Sequence, residues 1–71
     1  MSYLVVNLVD GKLGVIHERD TFEEAVDCAV QVAAEQCTES EDDIRAELET
    51  DLNFTTADGS IQVCLAQAER V

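Results

Sequence analysis

The dipeptide Asp10-Gly11 stands between two strand-like runs, SYLVVNLV (2–9) and KLGVIHER (12–19). An Asp-Gly pair flanked this way is the turn chemistry of a two-residue type I′ hairpin, because both central positions need positive φ. The turn also sets the pairing. With Val9 opposite Lys12, one face receives Leu8 with Leu13, Val6 with Val15, and Leu4 with His17. The other receives Asn7 with Gly14, Val5 with Ile16, and Tyr3 with Glu18. The first set is nearly all apolar and is the expected core face. His17 ends it at the rim, as a packed or half-exposed histidine.

A second pair, Asp58-Gly59, separates NFTTA (53–57) from SIQVCLAQ (60–67). A two-residue loop here places Thr56 opposite Ile61 and Phe54 opposite Val63, so that Phe54, Ile61, Val63 and Leu65 share the core face.

Two helices are expected between the hairpins. Thr21-x-x-Glu24 is a capping box, and Phe22, Val26, Ala29, Val30, Ala33 and Cys37 then follow the spacing of one buried helical stripe, with Val32 off it. Ser40, with Asp43 three residues on, opens a second, shorter helix in which Ile44, Leu48 and Leu52 recur every fourth residue. The order strand, strand, helix, helix, strand, strand describes one α+β domain over residues 1–71. Its small antiparallel sheet carries both helices on one face. The opposite face is then left open, and the register above assigns it Tyr3, Val5, Ile16, Cys64 and Ala66. That patch is more apolar than a solvated sheet face needs; it reads either as a semi-exposed face of small residues or as a candidate homodimer surface.

Catalytic and metal chemistry find little footing. Three cysteines, Cys28, Cys37 and Cys64, match no CxxC pattern and are read as small apolar residues in a reducing compartment. If Cys28 and Cys37 share a helix, they stand roughly 13.5 Å apart along its axis, beyond the ~7 Å reach of a disulfide. His17 with a cysteine would supply a nucleophile pair, but no helix start or glycine turn is placed to expose a thiolate. Asp51-x-Asn53-x-Thr55 imitates the opening of a calcium loop, yet Thr56 stands where its glycine belongs and Gln62 where its closing glutamate belongs. The expectation is a non-enzymatic chain without cofactor or metal.

Charge speaks to partners. Sixteen acids against four bases give a net charge of −12, which argues against direct nucleic-acid or anionic-membrane binding. No apolar run approaches the ~20 residues of a membrane helix, and the start lacks a signal-peptide pattern, so a cytoplasmic location is expected. Seven acids, Glu39, Glu41, Asp42, Asp43, Glu47, Glu49 and Asp51, fall within thirteen residues that hold one base, Arg45. Helix-dipole stabilisation accounts for the three in the first turn. It does not account for the like-charged pairs Asp43/Glu47 and Glu47/Asp51. The leading expectation is therefore an acidic protein-binding module docking on a basic partner surface, as a mimic of nucleic acid or an inhibitor would. The alternative is an interaction protein that homodimerises through its open sheet face, the acids serving solubility. Adaptation to a high-salt cytoplasm is a third account of the same charge.

Overall fold

The computed structural model describes residues 2–68. Its elements are β1 (Ser2–Val9), β2 (Lys12–Arg19), α1 (Phe22–Ala34), α2 (Glu41–Asp51), β3 (Asn53–Thr55) and β4 (Ile61–Ala68). The strands form one antiparallel sheet in the order β2-β1-β4-β3, with both helices packed against it.

Each hairpin follows from its turn. Asp10 (φ 53°) and Gly11 (φ 77°) both occupy the left-handed region, as a type I′ turn requires. In the second hairpin Phe54 does pair with Val63, and Thr56 N–H donates to Ile61 O at 3.0 Å. The expected two-residue loop is replaced there by a Thr56–Gly59 turn, closed by Gly59 N–H on Thr56 O at 2.9 Å. Asp58 keeps a negative φ and uses its carboxylate to organise the loop. The two turns meet where Asp10 N–H donates to Ser60 O at 2.7 Å.

Which face the helices cover corrects the expectation. Val5 is fully buried beneath them and Asn7 is nearly so, while Leu4, Val6 and Leu8 are only partly buried and stand on the other side. The cause lies in β4. Its odd residues Val63 and Leu65, with Phe54 of β3, are buried, whereas the even ones are Gln62, Cys64 and Ala66. Val5 pairs with Leu65 and Asn7 with Val63, and paired residues share a face. A strand with bulky apolar residues on one face only thus overrules β1, which has them on both.

A second correction lies in β2. Leu8 pairs with Leu13, but Val6 pairs with Ile16, so Gly14 and Val15 together oppose Asn7 in a β-bulge. Gly14 suits this place because a Cβ on it would stand 3.1 Å from the carbonyl oxygen of Asn7. Beyond the bulge, His17 lies opposite Val5 and half-buried on the covered face, and Ile16 lies on the open one.

Helix α1 starts as expected, with Glu24 N–H donating to Thr21 Oγ1 at 3.2 Å. It buries Ala25, Val26, Cys28, Ala29, Val30 and Ala33. Phe22 meets Tyr3 edge to face, with centroids 5.7 Å apart. The helix stops at Ala34, where Gln36 N–H turns onto Ala33 O and the Gln36 amide donates to Val32 O at 2.8 Å. Cys37 therefore sits outside the helix, half-buried against the core, and the axial-distance argument about it and Cys28 does not apply. All three cysteines are free thiols. In α2, Ser40 accepts from Asp43 N–H at 3.2 Å, and Ile44 and Leu48 are buried. Leu52 departs from that stripe: it caps α2 in the left-handed region (φ 59°), is exposed, and accepts from Leu65 N–H at 2.9 Å.

Candidate functional site

The open face is built by the register. Leu4, Val6 and Leu8 of β1 form its centre. Beside them on β2 stand Ile16 and Leu13, and on β4 Ala66 and Cys64. Leu13 and Ile16 are 62% and 50% exposed, and Val15 in the bulge is 54% exposed. Toward β3 the face turns polar. Gln62 Nε2 donates to Asn53 Oδ1 at 3.1 Å and to Cys64 Sγ at 3.3 Å, and Cys64 Sγ lies 3.4 Å from Asn53 Oδ1. Among the described residues of the four strands, the register brings one charged side chain to this face, Glu18, whose carboxylate accepts from Ser2 Oγ at 3.0 Å. The arrangement offers a mainly aliphatic contact area bordered by the Glu18 carboxylate and the free Cys64 thiol.

Of the five residues expected on this surface, Ile16, Cys64 and Ala66 lie there. Tyr3 and Val5 do not: Val5 is sealed under the helices and Tyr3 packs on Phe22. Sequence reasoning missed Leu4, Val6, Leu8 and Leu13. The signals were Gly14, since a lone glycine within a strand pattern marks a bulge, and the small or polar even positions of β4, Gln62, Cys64 and Ala66.

The acidic residues lie elsewhere. Glu39 sits in the loop before α2, and Glu41, Asp42, Asp43, Glu47, Glu49 and Asp51 are exposed along it. At ~100° per residue, Asp42 and Glu49 fall within about 20° of each other opposite the buried stripe, while Asp43 and Glu47 share a flank about 40° apart. They make two rows rather than one. Arg45, the one base of that segment, pairs with Asp27 of α1 at 2.8 Å.

A shallow groove of about 460 Å³ runs between Gln36–Glu39 and Thr56–Ile61, with Asp58 at its edge. Asp58 Oδ1 accepts from Ser60 N–H at 3.0 Å, Thr56 Oγ1 at 2.7 Å and Ser60 Oγ at 2.8 Å. Those bonds, the Ser60 backbone N–H first, lower its pKa to about 2. They are the bonds of a turn and leave that oxygen occupied. Among the described residues no group of three or more His, Cys, Asp and Glu gathers as metal ligands, and no helix is long and apolar enough to cross a membrane.

No family model matches the chain, and no curated protein or solved structure matches it.

Proposed function

We propose that this domain is a protein-interaction module whose contact surface is the open face of the sheet. One observation carries the reading: β1 and β2 place more aliphatic bulk on the face without helices than on the face with them. An antiparallel sheet with one wet side normally sets apolar residues inside and polar residues outside. Fully burying a Val, Leu or Ile side chain stabilises by about 1.5–3 kcal/mol, so a partner covering Leu13 and Ile16 and completing the burial of Leu4 and Val6 gains a part of that at each which the lone chain forgoes. A photo-crosslinking benzoylphenylalanine replacing Ile16 should yield light-dependent protein adducts in cells, and one replacing Glu47 should not. Absence of adducts from position 16 would sink the reading.

The exposed acids of α2, with Arg45 drawn off to Asp27, favour a second reading in which that helix docks on a basic protein, as a nucleic-acid mimic would. Adducts from position 47 alone, lost in the Glu47→Lys, Asp51→Lys background and at moderate salt, would favour it over the first.

A further inference from the structure

We infer that the occupant of the open face is a second copy of this chain, packed sheet against sheet about a two-fold axis. This rests on the reading of that face as the contact surface, and charge is the first argument for it. A net charge of −12 draws basic partners, but among the described residues the open face offers a basic partner only Glu18, already engaged with Ser2. Eleven of the sixteen acids lie between Glu23 and Asp51, in the helical half on the far side of the sheet. Two copies meeting by their open faces join the neutral sides and turn the acidic sides outward. Stacked sheets stand ~10 Å apart, so the helical layers beyond them are separated by more than the ~8 Å Debye length. A contact made through the helices would bring the like charges together instead.

Area and edges point the same way. Three eight-residue strands at ~4.8 Å spacing and ~3.3 Å per residue span a plane of about 380 Å² per copy. Two such planes give about 760 Å² before side-chain relief is added, against a lower bound of ~1,000 Å² for a specific contact. The apolar rows Val6/Ile16/Cys64 and Leu8/Leu13 run across neighbouring strands, and a two-fold contact sets such rows against their own copies. Edge-to-edge pairing is discouraged, because β2 carries the bulge and β3 is only three residues long.

Sedimentation equilibrium of the full chain across the micromolar range tests this. The wild type should reach twice 7.8 kDa. Ile16→Glu and Leu13→Glu, each checked for native circular dichroism, should return to the single-chain mass, and Glu47→Lys should keep the doubled one. Either outward-facing variant suffices if the other misfolds. A doubled mass that survives both substitutions, a series of masses above two, or a wild type that stays single would each overturn the inference. In the last case Nile red separates the two claims. Emission that rises with wild type and is lost with Ile16→Glu leaves the contact-surface reading standing with a different partner, whereas no emission removes that reading as well.

Discussion

The two faces of this sheet invert the usual relation between apolarity and burial. The covered face of β1 presents Tyr3, Val5 and Asn7, and in its midst Asn7 is only 7% exposed, with an Oδ1 that has no hydrogen-bond partner. The open face of the same strand presents Leu4, Val6 and Leu8. Helix coverage is thus decided by the sheet as a whole. β4 has only one face fit for a core, β1 has two, and their pairing makes the strand with two options follow the strand with one. The surplus aliphatic face of β1 is the one the helices leave uncovered.

The sharpest way to break the comparison is to place the same charge on each face. Val5→Glu puts a carboxylate where exposure is zero, at a cost of several kcal/mol. A domain of this size holds only roughly 4–10 kcal/mol at ~0.05–0.15 per residue. Val5→Glu should therefore show no cooperative urea transition. Ile16→Glu, measured as a single chain, should lie within about 0.5 kcal/mol of wild type, as surface substitutions usually do. In the wild type, but not in Ile16→Glu, the midpoint should climb with protein concentration, because association stabilises the folded form by mass action.

Phe54→Ala comes next. Phe54 is the largest fully buried side chain and comes from the short β3, so truncation should cost about 3–5 kcal/mol by urea denaturation. A loss under 1 kcal/mol would mean that β3 is not part of the covered face at all.

These contrasts also show what the sequence could convey. Local chemistry was legible: Asp10-Gly11 fixes its turn by a φ requirement, Thr21 and Ser40 satisfy orphan N–H groups, and Phe54 lands opposite Val63 as alternation demands. The covered face of β1 was not legible from β1, because alternation says that two faces exist without saying which one the helices take. The bulge hid behind a second ambiguity. A flush register and the wrong face are each errors of one step, and past Gly14 they cancel, so Ile16 and His17 fall on the expected sides while Leu4, Val5 and Leu13 do not. Cys37 and Leu52 fit helical stripes by spacing, but the chain leaves the helix before each, by a tightened last turn at Gln36 and by the left-handed cap at Leu52 itself. Tertiary fit set those ends, and spacing alone does not contain it.

A smaller effect of opposite sign should come from Asn7. Its Nδ2 donates to Gln36 Oε1 at a long 3.4 Å, and its Oδ1 goes unpaired. A buried acceptor without a partner costs about 1–3 kcal/mol, whereas an apolar group of similar shape carries no such penalty. Asn7→Leu should therefore raise stability by about 1 kcal/mol and make the covered face as apolar as the open one. A fall in the urea midpoint would show that the contact with Gln36 outweighs the orphaned oxygen.

The smallest expected effect separates the two halves of the sheet by pH. Asp58 organises the turn that delivers Phe54 to the covered face, while the β1–β2 turn depends on backbone conformation. Its folded pKa, lowered from 3.8 to about 2 chiefly by the Ser60 N–H, favours the folded chain while the carboxylate is charged. That contribution is fully present above the unfolded pKa and is lost as pH falls through the folded one, between about 4 and 2. The informative quantity is the difference between the wild type and a variant without that charge. Asp58→Asn retains an oxygen for the Ser60 bonds but no charge, so between pH 4 and pH 2 its urea midpoint should fall less, or rise more, than that of the wild type. Hydrogen exchange over that interval should loosen Phe54 and Gln62 in the wild type before Val6 and Ile16. Parallel midpoint curves for the two proteins would mean that the Asp58 charge contributes nothing to holding β3 against β4.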